Sequence, residues 1–151
     1  AHKIIDSSDL TNAQMKKKIR EVFGSENDPA RMSVSVVSFG FKYGIPLDAD
    51  IIIDVRFLPN PYYIEELKPL NGKDKKVRDY VLANKIALEF MDRFLHMLEF
   101  VLPHYLKEGK SHLVIGIGCT GGQHRSVAIV EKTAEYLQKK FYCTISHRDI
   151  D

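Results

Sequence analysis

Within the run Gly116-Ile117-Gly118-Cys119-Thr120-Gly121-Gly122-Gln123-His124-Arg125-Ser126 stand four glycines, a thiol, an imidazole and a guanidinium, and together they could hold an anion. The run follows Ser111-His112-Leu113-Val114-Ile115, which reads as a buried strand. It leads into Val127, Ala128, Val130, Ala134, Leu137 and Phe141, which recur at helical spacing. Backbone N–H groups in such a loop and in a first helical turn lack intrahelical partners, and the helix dipole adds partial positive charge there. Arg125 adds a planar fork able to bind two phosphate oxygens at once, and His124 adds a further donor. The plainer alternative is a strand-to-helix turn in which the glycines only make room.

Several catalytic patterns overlap on this stretch. A Walker loop needs Lys-Ser or Lys-Thr after its last glycine, and Gly121 is followed by Gly122-Gln123, so that reading fails. Gly116-Ile117-Gly118-Cys119-Thr120-Gly121 fits a dinucleotide fingerprint, with Asp149 and Asp151 beyond the next apolar run as possible ribose ligands. Cys119, five residues, then Arg125-Ser126 is the spacing of cysteine-dependent phosphatases. There a loop wraps the phosphate, the Arg clamps its oxygens, and a thiolate favoured by a helix N-terminus attacks phosphorus. Gly118 stands where those enzymes carry a His, and Asp54 is the one candidate for a general acid.

Three separated motifs carry a family resemblance. Ser38-Phe39-Gly40-Phe41-Lys42-Tyr43-Gly44-Ile45-Pro46, Asp54-Val55-Arg56-Phe57-Leu58-Pro59-Asn60-Pro61 and Gly118 to Ser126 resemble, in the same order, the C-terminal domain of the RapZ and YvcJ family. The resemblance spans nearly the whole chain. It implies a longer protein whose N-terminal P-loop domain binds and hydrolyses ATP and GTP, and whose C-terminal domain senses glucosamine-6-phosphate. It further implies, in one branch, an RNase adapter that binds small regulatory RNA. Carried over residue by residue, the sugar-phosphate pocket maps onto Thr120, Gly121, His124 and Arg125, with Lys42 added from the Phe-Lys motif. Cys119, Gly122 and Ser126 complete the anion loop, and Tyr43, Arg56, Asn60 and Tyr62 are further candidate contacts. Tyr43 and Tyr62 stand where the RapZ branch carries His, which keeps a nucleotide sugar or another hexose phosphate as alternative ligands. The expected function is therefore a sensor domain without catalysis of its own, the alternative being a phosphatase using Cys119 and Arg125.

Composition agrees with this reading. The chain has 151 residues, 44% hydrophobic, with a formal net charge of +2, enough for one sizeable core and too little charge to announce nucleic acid by itself. There is no membrane-length apolar run and no secretion signal at the start, which leads us to expect a cytoplasmic protein. Cys119 and Cys143 form no disulfide framework and no metal-ligand spacing with the histidines.

Several elements must position the loop. Thr11-Asn12-Ala13-Gln14 fits a capping box for a short helix over 11–23, with Lys16, Lys17, Lys18 and Arg20 on its solvated face. Residues 24–30 are a linker by composition. The family resemblance implies that residues 1–23 are the tail of a P-loop domain, followed by the linker over 24–30 and the sensor domain over 31–151. Ser33 to Phe39 and Ile51 to Val55 read as strands, and Tyr142 to Ile145 as a returning strand. Lys73 to Arg78 reads as a solvated loop and a second RNA candidate. From Asp79 to Tyr105, Leu82, Ile86, Phe90, Phe94, Leu98 and Val101 mark one long helical face. Met91, Leu95, Met97, Phe100 and Leu102 widen that stripe enough to suggest a homo-oligomer. Strand, loop, helix and strand make a βαβ unit, so the expected fold is α/β, a mostly parallel sheet flanked by helices. In such a sheet ligands gather beyond the carboxyl ends, where Lys42, Asp54, Arg56, Asn60 and the Cys119 loop could converge, and where His147-Arg148 could add positive potential.

Overall fold

The computed structural model describes residues 32–151. The helix expected over 11–23, its basic face and the linker lie outside the described residues. In chain order the elements are β1 (Ser33–Gly40), β2 (Ile51–Asp54), α1 (Lys75–Leu82), α2 (Lys85–Lys107), β3 (His112–Cys119), α3 (Arg125–Leu137) and β4 (Tyr142–His147), with 3₁₀ turns at Phe41–Tyr43 and Pro61–Tyr63. The sheet order is β2-β3-β1-β4, and all three pairings are parallel. This is the expected α/β class.

The strands form where β-branched residues cluster, and the sequence pattern sets their depth. β3 is buried from Leu113 to Cys119, as expected of a central parallel strand covered on both faces. In β1 Val34 and Val36 face the core, whereas Ser33 and Ser35 are only half covered, and the Ser35 hydroxyl meets that of Thr144 on β4 at 3.0 Å. Register pairs Gly40 with Cys119 and Asp54 with Gly118, so β1, β2 and β3 end at one level. α3 packs over β1, β3 and β4, with Val127, Ala128, Ile129, Val130 and Ala134 completely covered.

Four expectations change. The single helix from Asp79 to Tyr105 is two helices, separated at Ala83 and Asn84, with the Asn84 side chain accepting from the Ala87 N–H at 2.9 Å as the cap of α2. The charged run before it is not all loop: Lys75 to Arg78 open α1, which Asp74 caps by accepting from Lys76 N–H at 2.9 Å. The buried face of α2 is Ala87, Met91, Phe94, Leu98, Leu102 and Leu106, so Ile86 points to solvent at 64% exposure. Of the residues expected to widen the stripe, Met91 and Leu102 are core, while Phe100 is 68% exposed.

The fourth change concerns the glycines. Gly116 and Gly118 lie inside β3, before the loop. A Cβ on Gly118 would sit 2.5 Å from the Phe39 ring and 2.6 Å from that of Phe41, and one on Gly116 would sit 3.2 Å from the Phe39 ring. These two glycines make room for the edge-to-face pair Phe39–Phe41, whose centroids are 4.9 Å apart. Only Gly121 and Gly122 belong to the turn.

Candidate functional site

Beyond the carboxyl ends of β1 and β3 lies a cleft of about 330 Å³. Its walls come from all three motifs singled out in the sequence and the residues beside them: Lys42 and Tyr43 after β1, Asn60, Tyr62 and Tyr63 after β2, and Cys119 at the end of β3 with Thr120, Gly121, Gln123, His124 and Arg125 following it. No carboxylate is among these lining residues, while Lys42 and Arg125 are.

The loop is fixed from both ends. Cys119 closes β3 and is buried, its thiol donating to the Ser126 hydroxyl at 3.2 Å. Arg125, the first residue of α3, is 6% exposed. Its Nη1 donates to the carbonyls of Arg56 at 2.6 Å and Leu58 at 3.3 Å, and Nη2 reaches the Thr120 hydroxyl at 3.4 Å. Its Nε, fully buried, has no acceptor among the described residues. The guanidinium therefore joins the segment after β2 to the glycine loop.

His124 is also buried, and its Nε2 lies 3.1 Å from the Lys68 carbonyl. A carbonyl only accepts, so Nε2 carries the proton and Nδ1 is the nitrogen left for other partners. The neighbouring Gln123 carbonyl accepts from Gly72 N–H at 2.8 Å, and Thr120 O accepts from Lys42 N–H at 3.2 Å. Gly122 turns the chain with φ +77°, where a side chain would be strained. Among the described residues, no acceptor takes the N–H groups of Gly121 or Gly122.

The mouth is aromatic and basic. Asn60 caps the turn Pro61–Tyr63 by accepting from Tyr62 N–H at 3.1 Å, and the rings of Tyr62 and Tyr63 then stand edge to face at 5.9 Å. The Lys68 ammonium lies 4.4 Å from the centre of the Tyr62 ring, and that of Lys42 lies 5.2 Å from that of Tyr43.

Some expected positions lie elsewhere. Gly122 and Ser126 support the loop without lining the cleft. Arg56 turns to Asp54 at 2.6 Å and covers the Phe41 ring at 4.2 Å. Hydrogen bonds from the Arg56 side chain, opposed by some burial, hold the Asp54 carboxyl below the usual carboxylate range, which makes it a poor general acid. His147 and Arg148 do not line the cleft: His147 contacts Ser38 and Glu131, and Arg148 pairs with Asp149. Asp149, considered above for ribose, accepts from Gly40 N–H instead. Sequence reasoning passed over Gln123 and Tyr63. Gln123 sat inside the quoted loop, and Tyr63 stood beside Tyr62 behind the two prolines, so adjacency was the available signal. Cys143 is buried core, and burial pushes its thiol up to about 11.

A parallel sheet with a cleft over its carboxyl ends, formed where a strand passes through a glycine turn into a helix, defines an open α/β domain, in which that end of the sheet is where ligands generally gather. The chain belongs to the family of the RapZ C-terminal domain, whose sequence model matches residues 32–151. Curated relatives are named nucleotide-binding proteins. One from Desulfitobacterium hafniense is 57% identical over 150 residues, covering 99% of this chain and 50% of that protein. One from Moorella thermoacetica is 54% identical over 151 residues, covering 99% and 50%. A third, from Carboxydothermus hydrogenoformans, is 51% identical over 152 residues, covering 100% and 53%. The chain thus spans about half the length of the curated relatives it matches. No described helix is long and apolar enough to cross a membrane.

Proposed function

We propose that this domain is a cytoplasmic sensor that holds a phosphorylated amino sugar, glucosamine-6-phosphate in the first instance, in the cleft between the Lys42 turn and the Cys119–Arg125 loop, and does not transform it. The observation that carries the reading is a cleft at the carboxyl ends of the strands lined by Lys42 and Arg125 and by no carboxylate. Lys42 and the free loop N–H groups would meet phosphate, and the Asn60, Tyr43 and Tyr62 side chains would meet sugar hydroxyls. In the full-length protein we assign ATP or GTP to the other half. The occupied sensor would then signal, within a homo-oligomer, to a small regulatory RNA or a protein partner.

Calorimetry with glucosamine-6-phosphate, and with glucosamine and inorganic phosphate as controls, tests this. Saturable binding should need both sugar and phosphate. Lys42→Ala removes an exposed side chain without disturbing the core, and should weaken binding about tenfold, the scale of one charge-assisted contact. Absence of binding by the unaltered chain overturns the assignment.

One arrangement favours the phosphatase reading as the alternative: Cys119 ends a strand, Ser126 Oγ lies 3.2 Å from its sulfur, and the helix opens on Arg125. That reading requires turnover of an aryl phosphate by the reduced protein, abolished in Cys119→Ser. The engagement of Asp54 by Arg56 leaves it without its proton donor.

A further inference from the structure

Behind the cleft, three consecutive residues at the end of β4 touch two of the three segments that line it, the Lys42 turn and the glycine loop. His147 reaches Ser38 of β1 through Nδ1 at 2.8 Å and Glu131 of α3 through Nε2 at 2.7 Å, with its side chain only 6% exposed. Arg148 donates its N–H to Ser38 O at 3.0 Å and its Nη2 to the Gly44 carbonyl at 2.6 Å, just past the 3₁₀ turn that bears Lys42. Asp149 accepts from Gly40 N–H at 2.8 Å and from Arg148 at 2.7 Å. The glycine loop rests against the same place, since a Cβ on Gly122 would lie 2.6 Å from Gly40 N and 3.0 Å from Asp149 Cβ.

None of the three lines the cleft. We infer that His147-Arg148-Asp149 is a positioning strap: Asp149 holds Gly40 and its partner Arg148 holds Gly44, so that the pair fixes the two ends of the Lys42 turn and sets the distance between Lys42 and the Thr120–Gly122 loop. The Lys42 turn carries one end of the cleft and has a single backbone bond to the loop, Lys42 N–H to Thr120 O. The Phe41 ring packs on Phe39 and Arg56, and the glycines at the two ends of the turn are held by the strap. A carboxylate shared between an N–H and a guanidinium is a stronger and more directional tether than a neutral acceptor. Asp149 is therefore a positioning residue for a ligand it never touches, and the consequence for affinity rests on the binding reading given above.

The test compares the unaltered chain with Asp149→Ala and Asp149→Asn in two measurements. Amide hydrogen exchange in the free protein reads the strap directly. In Asp149→Ala the amides of Gly40 and Lys42 should exchange about tenfold faster while Ile115, in the centre of the sheet, is unchanged. Asn keeps an oxygen for the Gly40 N–H but loses the charge that holds Arg148, so it should fall between. Calorimetry with glucosamine-6-phosphate should show affinity dropping about tenfold in Asp149→Ala and less in Asp149→Asn. Unchanged exchange at Gly40 and Lys42, or equal loosening at Ile115, overturns the strap. If the unaltered chain fails to bind glucosamine-6-phosphate, the ligand assignment falls, and the exchange comparison still decides the strap.

Discussion

Gly40 and Gly121 meet backbone to backbone where the Lys42 turn passes the anion loop. A Cβ on Gly40 would lie 2.5 Å from the Gly121 carbonyl carbon and 2.7 Å from its oxygen. Those are backbone atoms of a turn tied at both ends, so they cannot step aside as a flexible side chain would. Gly40→Ala should therefore destabilise the domain by about 1–3 kcal/mol, the usual cost of overpacking. Gly121→Ala is the matched control, because its Cβ would meet only the end of Lys42 at 3.9 Å. Denaturant midpoints that fall equally in both variants, or in neither, would contradict the close-approach argument. The same contacts show what the sequence could and could not reveal here. Gly121, Gly122, His124 and Arg125 were legible as one loop because they are adjacent. Gly116 and Gly118 looked like part of it, and only the position of the Phe39 and Phe41 rings on the neighbouring chain segment shows that they serve packing.

At the level of elements, periodicity is a good guide to type and a poor one to boundaries. The apolar spacing from Leu82 to Val101 continues across Ala83 and Asn84, so nothing in the hydrophobic pattern marks the break between α1 and α2. The mark is polar: the Asn84 side-chain oxygen accepts from Ala87 N–H at 2.9 Å and its amide nitrogen donates to the Val81 carbonyl at 3.1 Å, ending one helix while starting the next. Asp74 was a similar signal hidden in a charged run. Asn84→Ala should accordingly cost about 1 kcal/mol or somewhat more, as both bonds go, without altering the cleft. Thermal unfolding would register this, and an unchanged midpoint would mean that the junction is held by core packing alone.

Across the whole molecule, fold class and the meeting of three distant motifs were legible because parallel strands deliver their following loops to one end of a sheet. The roles of the carboxylates around the sheet were not, since pairing depends on register. Asp54 could be matched to Arg56 two residues on, but Asp149 with Gly40 and Asp50 with Val114 are long-range. Asp50 sits just before β2, accepting from Val114 N–H at 2.8 Å and pairing with Lys110 at 2.9 Å. Burial acts to raise its pKa, yet the Val114 hydrogen bond and Lys110 outweigh it and hold the carboxyl below its ordinary range. In Asp149 burial is likewise outweighed, by Arg148 and the Gly40 N–H. A carboxyl whose folded pKa lies below its unfolded value binds protons less in the folded state. Its contribution to stability is complete above the unfolded value, near 4, and is lost as pH falls through the folded one. Stability should thus lose nothing from these carboxylates between pH 7 and 5 and decline below about 4. Asp50→Asn should lower stability at pH 7 and flatten the decline, because its neutral amide has no proton to gain. Urea midpoints from pH 7 down to 2.5 measure both, and a variant that keeps the full acid slope of the unaltered chain would show that Asp50 is not among the groups whose protonation unfolds it.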